Sequence, residues 1–320
     1  MFGIVEITPW HWGGFVLLIL FFLALDLGVF HRRAHVVRFK EALGWTLVWL
    51  TLAMGFAGAL FALRGQQHAL EYLTGYLIEL SLSMDNVFVI ALIFAYFKVP
   101  TEYQHRVLFW GILGALIMRG VMIAGGALLI ARFHWVLYVM GAFLVYSGIK
   151  MMFSEEDGVH PEKNPVIRLA RKFFPVAKDF DGQKFTTSVN GRRILTPLAI
   201  VLLMVETTDL VFALDSIPAI FAVTQDSFIV FTSNVFAILG LRSLYFVLAG
   251  AIEYFKYLKI GLSLVLVFIG GKMLGEIWHF NLSTMLSLLI VAAIILLSII
   301  LSIIVTRREA RRTKVPEAGG

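Results

Sequence analysis

From Glu206 to Pro218 the chain reads Glu206-Thr-Thr-Asp209-Leu-Val-Phe-Ala-Leu-Asp215-Ser-Ile-Pro218, inside a hydrophobic run from about Leu195 to Val223. A run of that length crosses a bilayer as a helix. A carboxylate at membrane depth costs roughly 2.5–3.5 kcal/mol on insertion scales, so three in one span need a partner or a ligand. Glu206 and Asp209 lie three residues apart and share a helix face. Asp215 is six positions beyond Asp209, about 120° round an ideal helix, and aims elsewhere. Pro218 has no N–H and its ring crowds the carbonyl of Leu214, which predicts a loosened helix beside Asp215. Broken membrane helices lined with oxygen ligands are how transporters build cation sites. A cation site is the expectation.

The rest of the chain is equally apolar, with 59% hydrophobic and 15% charged residues, which places it in the membrane class. Nine hydrophobic segments stand at roughly 10–30, 42–62, 72–97, 107–131, 134–153, 195–223, 227–251, 257–275 and 284–305. No Lys or Arg precedes the first of them, so it reads as a retained span and not a cleaved signal. The fold class expected is all-α, a membrane bundle of about nine transmembrane helices.

Charge fixes the orientation. Alternate loops hold 21 of the 27 Lys and Arg, while the opposite loops hold only Arg64 and Arg132. The positive-inside rule then puts the N-terminus in the periplasm and the C-terminus in the cytoplasm of a bacterial inner membrane. The net charge of +6 records that topology and implies no nucleic-acid partner. Trp10, Trp12, Trp135 and Trp278 fall near segment ends, where an aromatic belt meets the lipid headgroups.

Three landmarks repeat at nearly constant spacing. Asp85-Asn-Val-Phe88 matches Asp209-Leu-Val-Phe212, Arg119 matches Arg242, and Gly148-Ile-Lys150-Met-Met matches Gly270-Gly-Lys272-Met-Leu. Each copy holds three spans, an odd number, so the second enters from the opposite side. This predicts an inverted three-plus-three repeat, with its site at the repeat interface near mid-membrane. The expected organisation is two N-terminal helices (1–66), a first repeat (67–156), a cytoplasmic loop (157–194), a second repeat (195–280), and a final helix with a basic tail (281–320). The loop carries Asn190-Gly191 between short extended runs, which predicts a small hairpin.

Within the third segment Glu79, Ser83 and Asn86 follow an i, i+4, i+7 face, and repeat logic sets Asp85 opposite Asp209. A plainer reading has these acids merely paired with Arg119 and Arg242. Counting argues against it: Asp26, Glu79, Asp85, Glu206, Asp209 and Asp215 against two arginines leave a formal −4. A divalent cation and protons must offset the rest, because isolated buried carboxylates neutralise. Asp26, outside the repeat, reads equally as a pathway residue or a water-facing helix end. Lys150 and Lys272 read as snorkelling anchors. With no Cys and no His deep in a span, the candidate ligands are oxygens, which suit Mg²⁺, Ca²⁺ or Mn²⁺. No enzyme motif stands in a suitable context, and the setting of an intramembrane aspartyl protease is missing, so no enzymatic activity is expected.

At these stretches the sequence resembles the TerC family of bacterial membrane proteins, and within it the Alx branch. The resemblance is carried by Thr74-Gly-Tyr-Leu-Ile-Glu79, Ser81-Leu82, Asp85-Asn-Val-Phe-Val89 and Asp215-Ser-Ile-Pro-Ala-Ile-Phe-Ala-Val223. Phe228-Ile-Val, Asn234, Phe236-Ala-Ile-Leu-Gly-Leu-Arg242, Phe268-Ile-Gly270 and Lys272-Met-Leu274 extend it. It implies a manganese exporter of the cytoplasmic membrane, some relatives being named for tellurite resistance. It also implies metal binding by Glu79, Asp85, Glu206, Asp209 and Asp215; from the residues themselves, Asn86 is expected to assist and Arg119 and Arg242 to balance the site when it is empty. Mn²⁺ is then the transported substrate, no cofactor is tightly bound, and the partners are the cation and the bilayer. A homo-oligomer is compatible with the sequence. The rivals are a calcium or magnesium exchanger and a non-transporting stress scaffold.

Overall fold

The computed structural model describes residues 6–25, 39–154, 161–189, 191–248, 258–278 and 282–312. Asp26, Asn190 and Lys256 lie outside them. Among the described residues the regular structure is helical apart from one hairpin. Its elements are α1 (Pro9–Leu25), α2 (Phe39–Arg64), α3 (Gln66–Tyr96), α4 (Thr101–Arg132), α5 (Val136–Phe153), α6 (Pro165–Phe173), β1 (Thr186–Val189), β2 (Arg192–Leu195), α7 (Pro197–Phe221), α8 (Ser227–Leu248), α9 (Leu258–Gly275) and α10 (Thr284–Arg312). Among the described residues eight helices, α2 to α5 and α7 to α10, are long and apolar enough to cross a bilayer. The apolar helix Pro9–Ala24 is shorter. This is a multi-pass membrane protein.

Burial sorts the helices by depth. In α8, 18 of 22 residues are buried, so it is enclosed on every face and forms the axis of the bundle. Helices α2, α3 and α4 pack on it, and α7 packs on α3 and α4. The outer helices keep large apolar side chains exposed, among them Leu47, Leu128, Leu297 and Leu301, as lipid-facing surfaces require. Trp10, Trp135 and Trp278 are exposed near helix ends, as a belt predicts. Trp12 differs: it turns inward and meets Phe228 edge-on at 5.2 Å.

α5 and α9 form the most extensive helix pair, and small residues let their backbones touch. A Cβ on Gly270 would lie 2.6 Å from the carbonyl oxygen of Gly141, and a Cβ on Gly148 would lie 2.8 Å from that of Ser263. Residue 141 therefore faces 270 while 148 faces 263, an antiparallel crossing.

At one end of the bundle Asp226 accepts hydrogen bonds from the Phe228 and Ile229 amides at 3.0 and 3.4 Å and so caps α8. The same carboxylate pairs with Arg64 at the end of α2, at 2.6 Å. At the other end, between α5 and α7, the hairpin predicted around Asn190-Gly191 is present. Its strands pair antiparallel from Thr186 with Leu195 to Val189 with Arg192, and Gly191 adopts φ 76°. Asp181 accepts from Thr187 at 2.7 Å and Lys184 at 3.1 Å, which holds its carboxyl below the usual carboxylate range. The loop also holds α6, which the sequence reading left without structure.

α7 corrects one expectation. It runs unbroken from Pro197 to Phe221 with Pro218 inside it. Pro218 sits in the last turn, where a single lost N–H bond costs little continuity, so the helix is whole beside Asp215.

Candidate functional site

The bundle is held at its centre by Arg119 of α4, whose side chain is 2% exposed. Its Nε and Nη2 donate to Asp209 Oδ2 and Oδ1 of α7 at 3.1 and 2.9 Å, a two-pronged grip. Its Nη1 pairs with Glu79 of α3, which is fully buried, and also donates to Ser216 Oγ at 3.1 Å. Asn234 of α8 bridges the pair: its Oδ1 accepts from Arg119 at 3.4 Å, and its Nδ2 donates to Glu79 Oε2 at 2.9 Å. Four helices thus meet on one guanidinium. A lone charge this deep would be prohibitive, and only the closed set of partners makes it tolerable.

The polar face predicted on α3 points into this cluster. Ser83 Oγ donates to Glu79 at 3.3 Å, and Asn86 Nδ2 donates to Asp209 Oδ1 at 3.3 Å. Glu206 lies one turn before Asp209 and is half-buried. Its carboxylate fills the space left by Gly114 of α4: a Cβ there would overlap both carboxylate oxygens. Among the described residues Glu206 makes no ion pair. The next two side chains, Thr207 and Thr208, bond back to the Met204 carbonyl at 3.0 and 2.7 Å and line the same helix with satisfied hydroxyls.

The structure brings Glu79, Asn86, Arg119, Glu206 and Asp209 together, and leaves the other predicted residues apart. Asp215 faces Ser147 and Lys150 of α5, and its Oδ1 is buried with no hydrogen-bond partner among the described residues. Asp85 is half-buried, about 100° round α3 from Asn86. Arg242 is buried in α8, eight residues and about 12 Å beyond Asn234. Asp26 lies outside the described residues. Among the described residues no three His, Cys, Asp or Glu side chains converge as ligands of one ion. In this arrangement Arg119 stands between the two carboxylates that a cation would approach.

Sequence reasoning gave no role to Asn234 or Ser216. Both are uncharged polar side chains in membrane spans, which serve interhelical hydrogen bonding in general and do not mark a site as an ionisable group does. The space made by Gly114 has no sequence signal, since a helical glycine in a membrane span serves close packing as often.

Residues 64–311, which contain α3 and every later helix but for the last residue of α10, match the integral membrane protein TerC family. A Myxococcus xanthus membrane protein, STKORF319, is 56% identical over 266 residues, 83% of each chain. The Escherichia coli (strain K12) protein named as a membrane-bound redox modulator, Alx, is 46% identical over 292 residues, 88% of this chain and 91% of its own. A Rickettsia felis membrane protein is 44% identical over 261 residues, 82% of this chain and 87% of its own. No solved structure matches the chain. The matched region holds every residue of the Arg119 cluster, and with relatives this similar along most of their length the chain belongs to the TerC family of integral membrane proteins.

Proposed function

We propose that this protein is a secondary transporter that carries a divalent metal cation, manganese by family resemblance, out across the bacterial inner membrane by alternating access. One observation carries the reading: Glu79 and Asp209 grip a single buried arginine and Glu206 lies one turn before Asp209 against Gly114, so three acids and one arginine leave a formal charge of −2 at membrane depth. One divalent cation offsets that charge. Protons offset it when the metal has left, which couples metal export to proton entry. Such a centre is more than a structural ion pair needs, since Arg119 and either acid alone would be neutral.

The inverted repeat belongs to the same proposal, and the α5–α9 crossing supports it. The spacing that matches Gly148 to Gly270 also matches Gly141 to Ser263. Exchanging the two helices turns the 141–270 contact into the 263–148 contact, so the pair maps onto itself. The same exchange relates α3 on α8 to α7 on α4, and both packings occur. It relates the Arg119–Asp209 bridge to Arg242 and Asp85. A nine-span bundle with a cytoplasmic C-terminus completes the proposed architecture, with α1 as the first span.

The name of the Alx relatives suggests a second reading, a role in redox balance. This chain has no cysteine, so such a role would run through something other than its own thiols. Metal movement is one such route.

The test is flux in proteoliposomes containing the purified chain alone. We expect Mn²⁺ movement that responds to an imposed pH gradient and is lost in Asp209→Asn and Glu206→Gln. Calcium or magnesium moving in preference to manganese would redirect the substrate. Absence of any divalent flux in the wild type would leave the scaffold reading.

A further inference from the structure

The loop helix α6 is short, capped and strongly two-faced. Asn164 Oδ1 accepts from the Val166 and Ile167 amides at 3.0 and 3.3 Å, and Pro165 starts the first turn. At 100° per residue, Val166, Leu169, Ala170 and Phe173 fall within about 100° of arc. Arg168, Arg171 and Lys172 fill the opposite arc. Ile167, between the two, is 1% exposed and anchors the helix on the bundle, where α6 packs against α7. Among the described residues the apolar arc is left largely uncovered: Leu169 is 57% and Phe173 67% exposed. An apolar cleft of about 310 Å³ lies along that arc, lined on its far side by Leu195 at the end of β2 and Leu203 in the second turn of α7.

We propose that α6 is an interfacial helix that seats its apolar arc in the acyl-chain boundary of anionic lipid at the end of the bundle where α7 begins. A nine-residue helix with Leu and Phe on one face and three basic residues on the other has the composition of a helix lying in the membrane plane. Helix α7 fixes α6 beside the lipid-facing bundle, so no distant partner is required to cover the exposed face. The basic arc selects the headgroup charge, because an anionic leaflet attracts lysine and arginine held near its surface. The cleft beside Leu203 has room for acyl methylenes.

The docked helix is tied to the acidic stretch. Asn164 caps α6 with its oxygen while its Nδ2 donates to Thr207 Oγ1 at 2.8 Å, one residue from Glu206. Lipid that holds α6 in place therefore also holds the segment of α7 on which Glu206 sits. This inference rests on α6 itself and not on the identity of the transported ion.

The absence of native cysteine makes the experiment direct. Leu169→Cys in the full-length protein is labelled with a polarity-sensitive fluorophore and reconstituted in nanodiscs of phosphatidylcholine alone or with phosphatidylglycerol. Adding the anionic lipid should shift emission to the blue and expose the probe to quenching by bromines on the acyl chains. Salt at 1 M, where the screening length is about 3 Å, should remove most of the anionic preference. So should Arg168→Glu, Arg171→Glu and Lys172→Glu together. Ala170→Cys gives a second reporter on the same arc should the first variant fold poorly. A probe equally water-exposed in both lipids, and unquenched by brominated chains, overturns the proposal. So does protection that depends on protein concentration and not on lipid, which would assign the face to a second copy of the chain.

Discussion

Arg119 and Asp209 meet through two hydrogen bonds, at 3.1 and 2.9 Å, although α4 and α7 bring them from positions 90 residues apart. The guanidinium spends its remaining edge on Glu79, Ser216 and Asn234. The arginine is thus the joint on which both halves of the chain close, and any cation that binds the two acids must compete with it. An ammonium group could not reproduce that fork, because it is a point charge without the planar pair of donors.

Arg119→Met should therefore destabilise the protein by about 3–5 kcal/mol, the usual result of leaving buried charge without its partner. Arg119→Lys should recover only part of the loss. Adding Glu79→Gln and Asp209→Asn to Arg119→Met should restore much of it, because the stranded charges are then gone. Thermal unfolding in detergent would decide. A single variant as stable as the wild type would show that the cluster is not a closed ion network.

Gly114 makes the next prediction. Its missing Cβ is the space that the Glu206 carboxylate occupies. Gly114→Ala should cost about 1–3 kcal/mol, the range for overpacking a filled site. Glu206→Gln, which keeps the volume, should leave that cost in place, while Glu206→Ala should relieve it. Equal effects of Gly114→Ala in all three backgrounds would mean that the two residues do not share the space.

Several of these relationships were legible before any coordinates. The polar face of Glu79, Ser83 and Asn86 follows from helical period alone, and so does the separation of Asp215 from Asp209. The hairpin round Gly191 follows from turn chemistry. What escaped were contacts between distant segments. Asn234 is one amide in an apolar run, and nothing in its own neighbourhood says that it reaches Glu79. Arg119 reads from sequence as a balancing charge, and only packing shows that it sits between the acids. The continuity of α7 past Pro218 also escaped, because a proline reads as a break until its place in the last turn is known. The amphipathic arc of α6 was in the sequence, but a nine-residue pattern inside a polar loop is weak beside spans more than twice as long.

The α5–α9 crossing is tested by size. Gly270→Val puts a branched side chain against the Gly141 carbonyl, and Gly148→Val does the same against Ser263. Each should destabilise by at least about 1–3 kcal/mol, and the two should cost alike if the crossing has two-fold symmetry. Gly271, with nothing within 4 Å of its would-be Cβ, is the control, and Gly271→Ala should be neutral or slightly stabilising. Unequal costs at Gly148 and Gly270 would count against the symmetry.

Asp215 separates two roles that the acidic stretch had seemed to share. It lies six residues beyond Asp209, about 9 Å along the axis, and faces Ser147 and Lys150 in place of the Arg119 cluster. Groups so placed, with no common partner, should act independently. On stability, Asp215→Asn and Asp209→Asn should add to within about 0.3–0.5 kcal/mol, whereas Glu206→Gln and Asp209→Asn, which share the cluster's field, should not. On transport, the buried and unpartnered Oδ1 of Asp215 is suited to a proton, so Asp215→Asn should flatten the pH dependence of flux and spare metal affinity. Asp209→Asn should do the reverse and lose affinity first. Proteoliposome flux measured across pH and metal concentration resolves the two. A loss of metal affinity in Asp215→Asn as large as in Asp209→Asn would return Asp215 to the metal site, and would require α5 and α7 to rearrange during the transport cycle.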